Sequence, residues 1–172
     1  MKGRDQLMGK VAELYAEIFK EKPWVENFQP DEVMKFMIEQ FYKPRTVIAL
    51  AAVKNRKVVG FSWMYEIFED DLKEDTRYSS ELGFLFEGQK RVFYLQEIGV
   101  KKELRRQDIG EKLAHKILKK AKAKGANFIV LSTNSKARSA QSLFSKVGFQ
   151  NSGIVRPPKE LGRAYWTLQL GN

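Results

Sequence analysis

The sequence predicts an α/β fold: a mixed, mostly antiparallel sheet with a parallel central strand pair, flanked by helices on both faces. Four segments place apolar residues at helical spacing, and short β-branched or apolar runs separate them. From Arg91 onward the predicted order is strand, helix, strand, helix, strand, strand. A strand–helix–strand unit implies a parallel pair with a right-handed crossover. The chain of 172 residues contains no repeat or linker, so we expect one domain over residues 1–172.

The N-terminal part of the chain predicts two amphipathic helices. The first runs from about Arg4 to Phe19, has Leu7 on its apolar face, and is ended by Pro23. The second begins near Asp31, which we expect to be its N-cap, and stops at Pro44.

A β-hairpin follows these helices. Thr46 to Val53 is β-branched and apolar, residues 54–57 form a polar turn, and Val58 to Glu66 returns as the second strand. The segment from Phe68 to Lys90 is first acidic and then rich in glycine and aromatic residues. It predicts a loop or irregular segment with room for a short helix.

The C-terminal half supplies the strand–helix–strand unit. Its six elements are predicted, in chain order, at Arg91–Val100, Ile109–Lys124, Asn127–Ser132, Ser135–Val147, Gln150–Val155 and Ala164–Leu170. The strand at 127–132 is short and apolar, which is typical of strands buried in parallel sheets. Gly125 and Gly148 end the two helices, because glycine readily adopts the left-handed conformation found there.

Composition excludes several kinds of site. The chain has no cysteine, which removes disulfides, thiolate nucleophiles and thiolate metal ligands. Its single histidine, His115, falls on the polar side of a helix and is expected in solvent, so we expect no metal site. The longest apolar run, Val47–Val53, is seven residues, far short of the roughly 20 that a membrane helix needs. No signal-peptide pattern is present, and we expect a soluble, cytoplasmic protein.

One turn of the sequence has the features of an anion site. A strand ends at Val100, a basic turn bearing Arg105 and Arg106 follows, and a helix begins near Ile109. Backbone N–H groups in the first turn of a helix have no internal partner, and the helix dipole adds positive potential. Gly110 lacks a Cβ, so a phosphate could approach its backbone closely. The expected ligand is a pyrophosphate; the alternative is a charged loop before an amphipathic helix.

This turn resembles motif A of the GNAT superfamily of N-acetyltransferases, R-x-x-G-x-G/A after a strand that ends in valine. The matching residues are Arg105, Arg106, Gln107, Asp108, Ile109 and Gly110. Downstream, Ala140, Leu143, Phe144 and Gly148-Phe149 resemble the second family signature, N-x-x-A-x-x-L-Y-x-x-x-G-F. The resemblance covers roughly residues 91–170, and the first half matches only in the order of two helices and a hairpin.

Three positions depart from the family pattern. Asp108 replaces the first glycine of motif A, and we expect it to cap the helix because a carboxylate repels a pyrophosphate. The family asparagine falls on Ala137, with Asn134 nearby as a substitute. The family tyrosine falls on Phe144, which cannot donate a proton. The general acid must then be another group, for which Tyr165 is the candidate, or water.

The resemblance implies direct transfer of an acetyl group from acetyl-CoA to a primary amine in a ternary complex. CoA would lie between two splayed strands, the backbone N–H near Val100 would polarise the thioester carbonyl, and Gly99 would permit a bulge there. The residues that this assigns to CoA are Ile98, Gly99, Val100, Arg105, Arg106, Gln107, Asp108, Ile109, Gly110, Asn134 and Phe144.

Glu97 is the candidate base for the amine. It lies in an apolar strand, where desolvation would raise its pKa towards neutrality. Alternatively, Glu97 pairs with a lysine or arginine, or recognises a cationic substrate without taking its proton. By the resemblance, Trp24 and Glu26 lie where relatives shape the acceptor pocket.

The acceptor and the partners stay open. The acidic cluster at residues 69–75 is either a solvated loop or, if it lines the pocket, favours a polyamine, an aminoglycoside-like amine or a lysine-bearing peptide. The net charge of +10 suits the phosphates of CoA but also suits nucleic acid, so a non-catalytic nucleic-acid-binding module is the alternative function. The sequence leaves the oligomeric state open, a homodimer included.

Overall fold

The computed structural model describes residues 2–171. They form a six-stranded sheet in the order β1-β2-β3-β4-β6-β5. The strands are β1 Val47–Lys54, β2 Lys57–Ile67, β3 Val92–Val100, β4 Phe128–Asn134, β5 Gln150–Val155 and β6 Arg163–Gln169. The α-helices are α1 Lys2–Phe19, α2 Pro30–Phe41, α3 Asp71–Glu74, α4 Ile109–Ala123 and α5 Arg138–Lys146. Short 3₁₀ helices lie at Ser80–Phe86, Lys102–Leu104 and Lys159–Leu161.

The predicted fold class is confirmed. β3 and β4 are parallel, and the other neighbouring strands are antiparallel. The side chains of β2 alternate between the two faces of the sheet, so Phe61 and Trp63 pack on one face against α1 and α2, while Met64 packs on the other against α4 and α5. The sheet is therefore the middle layer between two helical layers.

The N-terminal helices differ in detail from the prediction. Leu7 lies at the edge of the buried face of α1 and stays 40% exposed, whereas its neighbour Met8 is buried. The N-cap of α2 is Gln29 rather than Asp31. The backbone N–H of Gln29 donates to Glu32 Oε2 at 2.9 Å, and Pro30 occupies the first helical position, where a missing N–H costs nothing.

The segment predicted as irregular contributes to the core. It contains α3 and the 3₁₀ helix at Ser80–Phe86, whose Leu82 and Leu85 are fully buried beside Tyr65 and Tyr165. Among residues 2–171, no helix combines the length and the apolar character needed to cross a bilayer.

The bulge in β3 lies at Gln96 and not at Gly99. Trp63 of β2 is opposite Glu97 and Met64 is opposite Leu95, which leaves Gln96 as the extra residue. Gly99 pairs regularly with Phe61, so the prediction of a bulge there is wrong. Its lack of a side chain serves packing instead: a Cβ on Gly99 would lie 2.7 Å from Phe61 Cζ and 3.0 Å from Ile18 Cδ1.

Replacing Gly99 with alanine is expected to destabilise the fold by about 1–3 kcal/mol, because the added methyl overpacks two buried side chains. Urea unfolding measures the loss. The matched control is Gly83→Ala, whose Cβ meets no atom within 4 Å, and we expect it to change stability by less than about 0.5 kcal/mol. Equal stabilities for the two variants would contradict this account of Gly99.

Candidate active site

The site is built on the separation of β3 from β4. The two strands pair in parallel only where Val92–Tyr94 faces Phe128–Val130. Beyond that point β3 continues to Val100, while β4 continues to Asn134 paired with β6 alone. The gap leaves backbone groups of β3 without a strand partner, and it opens into two cavities of about 580 Å³ and 310 Å³.

The larger cavity lies over the basic turn between β3 and α4. We call it the turn cavity. Its walls are the end of β3, the residues Arg105, Arg106, Asp108 and Gly110, and the start of α5. The volume is within the range of ordinary small-molecule sites.

The backbone N–H groups of residues 106–111 have no hydrogen-bond partner among the described residues. After residue 105, the next backbone N–H along the chain that donates a hydrogen bond is that of Lys112, whose acceptor is the Asp108 carbonyl at 2.9 Å. Arg106 and Asp108 have left-handed backbones, with φ of 59° and 60°. Alternation of this kind turns successive N–H groups towards a common concavity, and the start of α4 adds its dipole. The turn is therefore a cradle of main-chain amides with the geometry that an anion site requires.

The side chains of the turn act differently from the prediction. Asp108 stands at the N-cap position of α4, but its carboxylate makes no capping hydrogen bond. The guanidinium of Arg105 is held by Glu21, at 2.8 and 2.9 Å, and its Nε donates to the Val100 carbonyl at 3.0 Å. Arg105 therefore braces the turn against the connection between α1 and α2. Gln107 and Arg106 are exposed.

Backbone groups of β3 point into the gap. The Lys101 N–H donates to the Val59 carbonyl at 2.9 Å, which fixes the hydrogen-bonding side of β3 at that residue. Because antiparallel strands alternate between bonded and non-bonded pairs, the N–H groups of Ile98 and Val100 point away from β2. The bond from Arg105 to the Val100 carbonyl, on the gap side, agrees with this direction. Ile98, Gly99 and Val100 all line the turn cavity.

Glu97 lies in the smaller cavity, which we call the carboxyl cavity. Tyr15 Oη donates to Glu97 Oε1 at 3.2 Å, and Gln96 Nε2 donates to the same oxygen at 3.2 Å. Gln96 is held in turn by Tyr65 Oη at 2.8 Å. The bulge places Gln96 and Glu97 together, so one carboxyl oxygen is fixed by two donors while Oε2 has no partner among the described residues.

Burial raises the pKa of Glu97 to about 7. The hydrogen bonds from Gln96 and Tyr15 oppose the rise, as does the positive charge of Arg163, and the charge of Glu26 adds to it. The predicted rise in the pKa of Glu97 is confirmed. Near neutral pH this carboxyl can both accept and release a proton.

The two cavities share a wall. Ile18, Trp24, Ile98 and Ala140 line both of them. The turn cavity is therefore adjacent to the cavity that holds Glu97.

Five predicted site residues lie elsewhere, and two of them, Gln107 and Ile109, line neither cavity. Tyr165 is fully buried and lines neither cavity, and its hydroxyl donates to the Arg77 carbonyl at 2.5 Å, so it is not available as an acid. Asn134 also lines neither cavity, because its amide donates to the Leu161 carbonyl and its oxygen accepts from the Lys136 N–H. Phe144 is buried against Phe149 and lines the carboxyl cavity rather than the turn cavity.

The charges of the carboxyl cavity are mainly arginines. Its charged lining residues are Glu26, Arg77, Glu97, Arg156 and Arg163. None of the acidic cluster at residues 69–75 lines it. Asp71 pairs with Arg45, Asp75 with Arg77, and Asp70 with Lys73 on the surface. A pocket with acidic walls selecting a polycation is therefore not formed by this cluster.

Several of these contacts have no signal in the sequence. Tyr15 lies on the apolar face of α1 and has the pattern of a core residue. Arg156 comes directly after β5, in a part of the chain distant from α1. Only the folded sheet brings them to the gap.

His115 is 60% exposed beside Glu111, as predicted. Among residues 2–171, no group of three His, Cys, Asp or Glu side chains is arranged to hold a metal ion.

Comparisons with known proteins give the same picture of the fold. No curated protein sequence matches the chain. An N-acetyltransferase from Staphylococcus aureus Mu50 superposes with a TM-score of 0.69 at 15% identity, covering 97% of this chain and 94% of its own. The ribosomal-protein-alanine N-acetyltransferase of Brucella melitensis gives 0.67 at 12% identity, with 96% of each chain covered. The PaiA N-acetyltransferase of Thermoplasma acidophilum, solved with coenzyme A, gives 0.65 at 14%, covering 96% and 94%.

The sequence itself carries the family assignment. A family model for the acetyltransferase (GNAT) family matches residues 11–149, which is the larger part of the chain and includes the basic turn, β3, β4 and α5. The chain therefore belongs to the GNAT family of acetyltransferases and is an acyltransferase by that membership.

Proposed function

We propose that this protein is an N-acetyltransferase that moves an acetyl group from acetyl-CoA to a primary amine by direct attack in a ternary complex. The observation that carries the proposal is the set of unpartnered N–H groups at residues 106–111 beside the turn cavity, which Arg106, Asp108, Gly110 and Glu111 line. Because the protein supplies no acceptor for these groups, water or a bound anion must satisfy them. A diphosphate accepts hydrogen bonds from several such groups at once.

The residues of the turn cavity fit CoA. The turn from Arg105 to Gly110 would hold the diphosphate of CoA. The backbone groups of Ile98 and Val100 that have no strand partner would bind the rest of the CoA molecule. Acetyl-CoA supplies the acetyl group already activated as a thioester. The Val100 N–H, which points into the gap, is the donor that we assign to the thioester carbonyl.

Glu97 is the base in this proposal. An ammonium group has no free electron pair, so the amine must lose a proton before it can attack. The raised pKa of Glu97, about 7, makes its carboxylate a better proton acceptor than an exposed glutamate. Tyr15 and Gln96 hold one carboxyl oxygen, which leaves Oε2 for the amine.

The departing thiolate is protonated either by Glu97, which has accepted a proton from the amine, or by water. Phe144 stands where many relatives have tyrosine and cannot donate, and the Tyr165 hydroxyl is bonded to the Arg77 carbonyl. We therefore assign no catalytic tyrosine. The alternative of a non-catalytic nucleic-acid-binding module has no observation in its favour once the chain is placed in an enzyme family.

Enlarging Gly110 tests the cradle. Its Cβ would meet only ordinary contacts, 3.5 Å to Val100 and 3.6 Å to Leu143, so the fold should accept a side chain that projects over the amides. Gly110→Leu is expected to weaken CoA binding by roughly tenfold or more, measured by calorimetric titration, because the diphosphate loses charge-assisted hydrogen bonds.

Gly110→Ala is the matched control, because it adds a side chain intermediate in size between those of glycine and leucine. Leucine and alanine both favour helices over glycine, so neither variant should melt earlier than the parent protein. An unchanged CoA affinity in the leucine variant would place the diphosphate elsewhere.

Replacing Glu97 with glutamine tests the base. In the parent protein, kcat/KM should rise as the pH rises through about 7, because the carboxylate form accepts the proton and becomes populated above its pKa. Glu97→Gln should lower turnover roughly a hundredfold and abolish this rise of kcat/KM with pH.

The control is Glu39→Gln, an exposed carboxylate on α2 that should alter neither quantity. A Glu97→Gln enzyme with the parental rate and the parental pH profile would remove Glu97 from the mechanism.

A further inference from the structure

The carboxyl cavity contains one guanidinium whose charge the protein leaves uncompensated. Arg77 is paired with Asp75 through several contacts, the shortest 2.5 Å, and Arg163 is paired with Glu26 at 3.3 Å. Arg156 has no carboxylate partner among the described residues. It lines the same cavity as those two arginines.

The surroundings of Arg156 leave donors unused. Its Nη1 donates to Ser132 Oγ at 2.9 Å, and its Nε is buried without a hydrogen-bond partner in the described part of the chain. A buried donor such as the Arg156 Nε is costly to leave unsatisfied, and a bound acceptor would satisfy it.

Ser132 links Arg156 to the centre of the cavity. Its Oγ lies 2.8 Å from Tyr94 Oη, on the strand that carries Glu97. The guanidinium and the Glu97 carboxyl therefore stand on opposite sides of one gap, Arg156 reaching β4 from the β5 side and Glu97 belonging to β3. One end of the cavity suits an anion and the other suits an amine.

We propose that the acceptor is a small amino acid, whose carboxylate is bound by Arg156 and whose amine is directed to Glu97. This deepens the proposed function and rests on it. A guanidinium presents two parallel donors, which match the two oxygens of a carboxylate. A cavity of about 310 Å³ is at the lower end of ligand-site volumes, which favours a small acceptor over a long polyamine or a folded protein segment.

The charge balance of the cavity agrees with this choice. With two of its arginines paired inside the protein, a single positive charge remains for the ligand, which matches one carboxylate. A polycationic acceptor would instead bring further positive charge next to Arg156. The ammonium group of the amino acid first gives one proton to Glu97, which later releases it to solvent. The amine nitrogen then bonds to the acetyl carbon, the carbon–sulfur bond breaks with its electron pair on the CoA thiolate, and the second nitrogen proton is lost as the thiolate is protonated.

The test uses the full chain with acetyl-CoA and a matched amine panel. The panel contains the common L-amino acids, short ω-amino acids, the carboxamide of each, and O-phosphoethanolamine, with CoA release as the readout. We expect at least one amino acid to be acetylated with a kcat/KM roughly tenfold or more above that of its carboxamide, because the amide lacks the charge that Arg156 binds.

Arg156→Gln separates binding of the carboxylate from a structural role. In this variant the ratio of acid to carboxamide should fall towards one, through a higher KM for the acid rather than a lower kcat. Arg56→Gln, at the exposed tip of the β1–β2 hairpin, removes the same charge far from the gap and should keep the parental ratio. A variant that loses both substrates equally would overturn the assignment of Arg156.

Two further outcomes would overturn the inference. One is equal or better turnover of carboxamides or of O-phosphoethanolamine by the parent protein, and the other is no acetylation of any amino acid. The melting temperature with acetyl-CoA distinguishes this failure from that of the proposed function. If acetyl-CoA raises it and no amino acid reacts, only the acceptor is wrong; if acetyl-CoA leaves it unchanged, the proposed function fails as well.

Discussion

The separation of β3 from β4 is the constraint on which the rest of the site depends. Three residues of parallel pairing hold the strands together, and beyond them the sheet gives up backbone hydrogen bonds that a continuous strand pair would make. The bulge at Gln96 coincides with that point and turns Glu97 into the opening. Both cavities follow from this one departure from regular pairing, because each uses a different side of the same gap.

Three of the arginines around the gap are paired with carboxylates of the protein. Arg105 is engaged by Glu21, Arg77 by Asp75 and Arg163 by Glu26. These pairs fix side chains more than they add stability, since exposed ion pairs contribute little. On the side of the turn cavity, the row of main-chain amides remains for ligands together with Lys22, Arg106, Lys136 and Arg138, which have no carboxylate partner among the described residues. On the other side, Arg156 and the Glu97 carboxyl remain.

The sequence predicted what is local and missed what depends on tertiary contact. The strand–helix–strand unit and the amide turn are read from spacing, and both are present because neighbouring residues alone determine them. Glycine favours irregular backbone and so predicts a bulge at Gly99, whereas the ring of Phe61 is what requires glycine there. Tyr165 is an acid candidate by residue type, but its hydroxyl donates a hydrogen bond to a carbonyl 88 positions away. The roles of Tyr15 and Arg156 needed the assembled sheet.

The shared wall of the two cavities bears on how such a protein can diverge. Ile18, Trp24, Ile98 and Ala140 line both cavities. Under the proposed function, the donor would be recognised partly by backbone, which tolerates sequence change, and the acceptor by side chains. A change of acceptor would then require the replacement of only a few residues of β4, β5 and the α1–α2 connection, and the residues around the turn cavity could stay as they are.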